Sequence, residues 1–200
     1  MYARFVPGRA QPGKLDEFLR VMQETAPLAK RQPGNQGAGL MLDRRANKVV
    51  AYTLWDTEAS MAASAQSGGS FAVNMAKIAP LYAERPTPEE YEVPILTVPG
   101  RPGLFVRITT FSIRPDKLDE TVSLMREAAD RAAEQPGNKG MTFLTDAQTG
   151  TAKAATLWET EAARAAGESS GFYQEQRAKL ADLLAEPPGA AENFEMVIRE

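Results

Sequence analysis

The hydrophobic and polar positions follow the same succession of patterns twice along the chain. Each copy begins with the alternation of a β-strand, at Met1 to Pro7 and again at Leu104 to Phe111. Apolar residues at helical spacing follow, and both predicted helices end at Gln-Pro-Gly-Asn, at residues 32–35 and 135–138. Two strands joined as a hairpin, an Ala-rich helical region and a last strand complete each copy. The predicted order in each copy is therefore β-α-β-β-α-β.

The two copies match clearly over an eight-residue stretch, at residues 52–59 and 155–162. Each stretch contains one of the two Trp residues of the chain, Trp55 and Trp158, at positions that differ by 103. Both Trp residues end a predicted strand, and the Thr two positions later is expected to cap the following helix. Each Trp therefore marks the same strand-to-helix corner of a duplicated unit.

The element order predicts an α+β protein made of tandem ferredoxin-like (βαββαβ) repeats. We expect the first repeat at 1–97, a short Pro/Gly-rich linker at 98–102 and the second repeat at 103–200. One face of each antiparallel sheet would remain apolar and bare in isolation. The two sheets are therefore expected to pack face to face as an intramolecular α+β barrel, and further homodimerisation is compatible with this arrangement.

Composition narrows the chemistry. The net charge is −3 and no Lys/Arg block occurs, which argues against nucleic acid and membrane partners. No segment has the pattern of a signal peptide or a membrane span, so a cytoplasmic location is expected. The chain has neither Cys nor His. We therefore expect no metal and no cofactor, and any catalysis must use Arg, Lys, Tyr, Trp, carboxylates or the substrate itself.

An arginine occupies the centre of both first strands, at Arg4 and Arg107, where apolar residues are usual. These arginines are the candidate catalytic residues, because a buried guanidinium could bind an anionic or carbonyl-bearing ligand between the sheets. The alternative is an ion pair with an acidic residue of the last strand, such as Glu92 or Glu195, because a buried charge needs a partner.

Aromatic and amide side chains supply the candidate substrate-binding residues. The two Trp rings could stack on a planar ligand, or they could anchor strand to helix as part of the core. Tyr2 and Tyr52 are candidate proton donors of the first repeat only, since Phe105 and Ala155 replace them in the second. Asn35 and Asn138 could orient a carbonyl, although Asn after Pro-Gly is more often a turn residue.

Three motifs resemble the antibiotic-biosynthesis-monooxygenase-like domain of the dimeric α+β barrel superfamily. They are Pro-Gly-Asn-x-Gly after the first helix, Leu-Trp-[Asp/Glu]-Thr-Glu-Ala after the third strand, and a Phe some residues later. The resemblance covers nearly the whole chain, once per half. It implies a pair of sheets that form a barrel, here supplied by one chain, and a cavity between sheet and helices.

The resemblance also implies a range of activities, from cofactor-independent quinol and polyketide oxygenases to haem-degrading enzymes. In the haem-degrading members an Asn on the first strand, the motif Trp and a His on the last helix form the site. Arg4 and Arg107 stand at the Asn position here, and the His position falls near Met75 and Gln176. Haem cleavage of that type is therefore not expected.

The function predicted from the sequence is a cofactor-independent monooxygenase that acts on an aromatic or quinol-type small molecule, with Arg4 or Arg107 as the electrostatic group. The alternative is a non-catalytic small-molecule-binding or stress-related α+β barrel protein, whose cavities are filled by side chains. A connected cavity beside Arg107 or Trp158 would favour the enzyme, and a sealed core would favour the alternative.

Overall fold

The computed structural model describes residues 1–98 and 104–200. The predicted linker, 98–102, lies outside the described residues apart from Val98. Contacts divide the chain into two compact units. Unit 1 consists of Met1–Tyr91 and Glu195–Glu200, and unit 2 consists of Glu92–Phe194. The repeat bounds of 1–97 and 103–200 remain a prediction about the sequence repeats.

The first repeat has the predicted order of elements. Its strands and helices are β1 (Tyr2–Arg9), α1 (Leu15–Lys30), β2 (Asn35–Asp43), β3 (Lys48–Trp55), α2 (Glu58–Ser64), α3 (Ser70–Ile78) and β4 (Glu89–Thr97). The turn between α1 and β2 requires Gly34, whose φ of 79° is costly for other residues. The Thr57 hydroxyl accepts from the Ser60 N–H and caps α2, as predicted.

The second repeat follows the same plan. Its elements are β5 (Phe105–Ile113), α4 (Leu118–Ala133), β6 (Asn138–Asp146), β7 (Thr151–Trp158), α5 (Glu161–Ser169), α6 (Gly171–Leu180), β8 (Leu184–Glu186) and β9 (Glu192–Arg199). Strand β8 is absent from the sequence prediction and pairs with the end of β5. Thr160 caps α5 through the Ala163 N–H. The prediction of two ferredoxin-like βαββαβ units is thus confirmed.

Each unit has an antiparallel sheet. In unit 1, β3 pairs with β1 on one side and β2 on the other, and the end of β9 adds to β2. In unit 2, β7 pairs with β5 and β6, and the end of β4 adds to β6. The register sets Arg4 opposite Thr53 and Arg107 opposite Thr156, so the two arginines occupy equivalent places in the two sheets. The face-to-face packing of the sheets remains a prediction.

Helices cover the sheet face that carries the arginines. Val6, two residues after Arg4, lies in one buried cluster with Phe18 and Met22 of α1. This corrects the expectation that the arginines lie between the two sheets, on the face without helices. The alternation of β1 could not decide the question, because Ala3 and Phe5 on the opposite face are buried as well.

Within the described part of the chain, no helix is both long enough and apolar enough to span a membrane.

Candidate functional site

The two central arginines are buried and stacked on aromatic rings of the helices. Arg4 is 3% exposed and Arg107 is 6% exposed. The Cζ atom of Arg4 lies 4.3 Å from the ring centroid of Phe71, and that of Arg107 lies 4.3 Å from the ring centroid of Tyr173. Both rings belong to the second helix after the Trp corner, α3 in unit 1 and α6 in unit 2. The two sites therefore share one framework of a strand arginine under a helix ring.

Each of the three guanidinium nitrogens of Arg4 has a protein partner. Its Nε donates to Glu90 Oε1 at 2.8 Å, and its Nη2 lies 2.7 Å from the same oxygen. Its Nη1 donates to Ser64 Oγ at 2.8 Å, and Nη2 donates to the Met61 carbonyl at 3.1 Å. The ion pair foreseen for this arginine exists, but with Glu90 rather than Glu92. These contacts are those of a structural residue, whose charge is compensated by Glu90.

Arg107 differs from Arg4 in its partners. Its Nη1 is buried and has no hydrogen-bond partner among the described residues. Its neighbours are the ring of Tyr173 and, at 5.7 Å, the ring of Trp158. Burial lowers the pKa of Arg107, the nearby Tyr173 and Glu168 raise it, and Arg164 lowers it. An arginine nevertheless stays protonated in proteins, so this site holds a buried cation with an unused donor.

Three substitutions between the repeats explain the difference. Gly167 stands where Ser64 supplies its hydroxyl, so one acceptor is missing. A Cβ atom on Gly167 would lie 2.2 Å from Cη2 of Trp158, which leaves no room for a serine. Asn193 replaces Glu90 and accepts instead from Arg164 Nη1 at 2.6 Å.

Arg164, the third substitution, replaces Met61 and brings a second guanidinium close to Arg107. Its own Nη1 also lies 3.2 Å from Glu168 Oε2. Glu168 and Asn193 are therefore engaged by Arg164, and neither compensates Arg107 as Glu90 compensates Arg4.

A cavity between sheet and helices adjoins each arginine. In unit 2 it has a volume of about 60 Å³, or about 550 Å³ with its open mouth included. Its lining combines strand, α4 and α6 residues, and the polar members are Arg107, Thr109, Thr156, Tyr173, Gln176 and Arg177. The corresponding cavity of unit 1, beside Arg4, measures about 30 Å³. The larger cavity thus belongs to the arginine with the unused donor.

Neither of these cavities is lined by an acidic residue. No group of three or more Asp, Glu, His or Cys side chains is placed to hold a metal ion anywhere in 1–98 or 104–200. The described residues therefore offer no evident metal-ligand set. The expectation that the protein uses no metal or cofactor remains a prediction.

The candidate Trp and Tyr residues occupy different parts of the structure. Trp55 and Trp158 are 1% and 2% exposed, and each indole N–H donates to the Thr two residues earlier at 2.9 Å. Trp158 also contacts Arg107, whereas Tyr2 lies opposite Trp55 in the β1–β3 register.

Tyr52 belongs to the opposite face of the sheet from Arg4. Its ring contacts Phe5, and its hydroxyl lies 3.6 Å from the Met196 sulfur. Burial raises the pKa of this phenol. Tyr52 is among the residues that line the unit 1 cavity beside Arg4, but its side chain is directed to Phe5 and Met196 on the opposite face.

Asn35 and Asn138 lie at strand starts, opposite the Trp residues and at bulges in the β2–β3 and β6–β7 pairings. The Asn138 side-chain oxygen accepts from the Gly140 N–H at 2.9 Å. Neither Oδ1 nor Nδ2 of the Asn35 side chain has a hydrogen-bond partner among the described groups. The same is true of Nδ2 of Asn138. Neither residue lines the cavities beside the arginines. Their role in ligand binding remains a prediction.

The residues that sequence reasoning missed are those contributed by the helices. Tyr173, Arg177, Ser64 and Gly167 decide the character of the two sites, yet none is a strand residue or part of a motif. The signal was present in the aligned repeats, where Ser64 and Gly167 differ at one position. Tyr173 rather than Phe172 takes the place of Phe71 beside the strand arginine, and the Phe172 ring lies under Arg131 instead.

A profile of the antibiotic biosynthesis monooxygenase family matches residues 1–72 and 104–185, once in each repeat. The chain belongs to this family. An uncharacterised protein of Mycobacterium tuberculosis, found in strains CDC 1551 and H37Rv, is 27% identical over 129 residues. That match covers 63% of this chain and 53% of the relative, so the aligned part spans about half the length of the relative.

Solved structures share the fold at low sequence identity. A proposed monooxygenase of Fusobacterium nucleatum superposes with a TM-score of 0.79 at 10% identity, covering 100% of this chain and 93% of the other. An anthrone oxidase-like protein gives 0.72 at 13% identity, with coverages of 100% and 92%. A haem-degrading enzyme of Listeria monocytogenes gives 0.58 at 9% identity, with 98% and 99%. These likenesses establish the fold and leave the chemistry to the site.

Proposed function

We propose that the unit 2 cavity binds an aromatic or quinol-type molecule and promotes its oxygenation without a cofactor. One observation carries the proposal: Arg107 lines this cavity, is buried, and has an Nη1 without a partner. A buried guanidinium in this state is stabilised by an oxyanion or a carbonyl oxygen of a ligand. Family membership and the monooxygenase-like fold support the same reaction class.

Arg107 would act by stabilising negative charge. A cation beside a bound phenol lowers the pKa of that phenol and favours the anion, whose charge spreads to ring carbon. The electron-rich carbon reduces dioxygen and forms a C–O bond to it, giving a hydroperoxide. Loss of water then leaves a carbonyl, with one oxygen atom in the product and the other in water. The substrate supplies all four electrons that reduce dioxygen, so the balance needs no other reductant.

The apolar part of the lining suits the ring. Phe111, Met125, Met141 and Phe172 border the cavity, and Tyr173 offers a stacking surface beside the guanidinium. Exclusion of water strengthens the interaction between Arg107 and the developing anion. The second candidate, a non-catalytic binding protein, rests on the lack of an acidic or His base among the lining residues.

An oxygen electrode with anthrone as the probe tests the proposal. Wild-type protein should consume oxygen above the autoxidation of anthrone in buffer, and Arg107→Met should lose at least tenfold of that excess. Arg4→Met, the equivalent change in unit 1, is the matched control and should retain the activity once circular dichroism shows that it is folded. Binding of anthrone without oxygen uptake would support the non-catalytic alternative. Neither binding nor uptake would show the proposal to be wrong.

A further inference from the structure

We infer that the unit 2 cavity selects acidic aromatic molecules, whose anionic substituent is held at the mouth by Arg177. The inference rests on the proposed function, because Arg107 must hold the reacting oxygen at the base of the same cavity. It adds the substrate class and a specificity-determining residue. Arg177 lies on α6, is exposed, and lines the cavity together with Arg107.

The charges of the cavity are unbalanced. Among the described residues, two guanidinium groups line it and no carboxylate does. Both lie near the ring of Tyr173, with Cζ to ring-centroid distances of 4.3 Å for Arg107 and 5.9 Å for Arg177. A positive potential in a low-dielectric cleft raises the local concentration of anions. The lining therefore favours a negatively charged ligand over a neutral one of the same shape.

Nearby carboxylates are engaged elsewhere. Glu175 Oε1 and Oε2 accept from the two terminal nitrogens of Arg131 at 2.8 and 2.9 Å, and Lys179 lies 2.8 Å from Oε1. Glu168 is held by Arg164. No ion pair of Arg177 is present among the described residues. The cation at the mouth is thus available to a ligand.

Unit 1 provides an internal comparison. Met75 occupies the position of Arg177, counted from the aromatic ring that stacks on the arginine. Arg4 is the one charged residue among the described residues that line that cavity, and Glu90 compensates it. Of the two arginine sites, that of unit 2 is therefore the one with two cations available to a ligand.

The size of the cavity places part of the ligand at the mouth. A cavity that admits benzene measures about 150 Å³, whereas the enclosed part here is about 60 Å³. An aromatic ring must therefore extend from this space into the open mouth of the cavity. A substituent on the outer end of the ring would lie beside Arg177.

The experiment compares two probes of one ring system, 2-naphthol and 6-hydroxy-2-naphthoate, by isothermal titration calorimetry. The carboxylate of the second probe lies at the far end of the ring system from the hydroxyl. Wild-type protein should bind the carboxylate probe about fivefold more tightly, the upper range for an exposed ion pair. Arg177→Met, which installs the unit 1 residue, should remove this preference. Lys179→Gln removes a charge from the same helix outside the cavity and should keep the preference. Raising the salt concentration should reduce it.

The outcomes separate this inference from the proposed function. Arg107→Met should weaken both probes alike, because it acts at the shared hydroxyl. Equal binding of the two probes by wild-type protein, or an unchanged preference in Arg177→Met, would overturn the role of Arg177 and leave Arg107 standing. If Arg107→Met binds both probes as tightly as wild-type protein does, the proposed function is overturned. Failure of both probes to bind would overturn both.

Discussion

At the scale of single residues, Arg4 donates to three acceptors, whereas Arg107 Nη1 donates to none. A buried charge without compensation costs several kcal/mol, so a protein retains one where it has a use. Residues of this kind are common at functional sites, where stability is sacrificed for binding or catalysis. The comparison within one chain holds strand position and stacking ring nearly constant, which isolates the effect of the partners.

The two arginines should respond oppositely to replacement by Met. Arg4→Met removes the partner of Glu90 and of Ser64, and should lower the free energy of unfolding by about 2 kcal/mol. This is below the roughly 3–5 kcal/mol for breaking a fully buried pair, because Glu90 is 52% exposed and can return to water. Arg107→Met removes an uncompensated cation, so its effect should lie between neutral and about 1 kcal/mol of stabilisation. Urea denaturation of both variants measures the difference.

A large loss of stability in Arg107→Met, equal to that of Arg4→Met, would contradict this assignment. It would mean that Arg107 has a structural partner comparable to Glu90, and the site would lose its main argument for ligand binding.

Sequence reasoning located both arginines but not their partners. The repeat and the alternation of β1 and β5 were enough to find Arg4 and Arg107. The predicted acids, Glu92 and Glu195, were wrong, since Arg4 pairs with Glu90 and Glu195 lies 3.2 Å from Arg44. Which carboxylate of a strand reaches a given side chain depends on pairing register and twist, which a single sequence does not state.

At the scale of elements, features set by the local sequence were predicted correctly, whereas features set by tertiary contacts were not. Thr57 and Thr160 cap their helices as predicted, because a hydroxyl before a helix start satisfies a free N–H regardless of context. Strand β8 escaped prediction because it has three residues and depends on β5 for its pairing. The side of the sheet that the helices cover was predicted wrongly, since both faces of β1 are apolar.

A surface ion cluster joins helices α4 and α6 next to the cavity of unit 2. Glu175 of α6 pairs with Arg131 of α4 and with Lys179, and the Arg131 Cζ lies 5.1 Å from the ring centroid of Phe172, which lines the cavity. Hydrogen bonds from Arg131 and then Lys179 lower the pKa of Glu175 from 4.5 to about 2. Protonation of Glu175 in acid would therefore weaken the ion pairs of α6, the helix that carries Tyr173 and Arg177.

Stability should fall in acid partly through Glu175. A carboxyl whose pKa is lowered on folding contributes stability above its unfolded value of about 4.5, and this contribution is lost as the pH falls towards 2. Thermal melting between pH 6 and pH 2.5 should show a smaller acid-induced drop in Tm for Glu175→Gln than for wild type. Lys179→Met, which removes one of the two partners, should fall between them. An identical pH profile for Glu175→Gln and wild type would exclude the contribution, which high salt should also reduce.

At the scale of the whole molecule, duplication has left two frameworks with different contents. The tandem ferredoxin-like repeats and their family followed from motifs that recur at a fixed interval, and these were readable from the sequence. The difference between the two arginine sites could not be predicted from the sequence, because it depends on residues outside the motifs. Ser64 against Gly167 and Glu90 against Asn193 differ by small chemical steps, yet they decide whether the central arginine is satisfied.

The wild-type chain should therefore bind one ligand rather than two at its arginine sites, and the number should be changeable by design. Titration calorimetry with 6-hydroxy-2-naphthoate should give a stoichiometry of one per chain. The double variant Ser64→Gly/Glu90→Asn removes two partners of Arg4 and copies the residues of unit 2. Arg4 would then keep its stack on Phe71 and gain unused donors beside the cavity of about 30 Å³. A second, weaker binding event should appear, and adding Arg4→Met should abolish it. A stoichiometry of two in the wild type, or of one in a folded double variant, would show that compensation of the arginine does not control ligand binding.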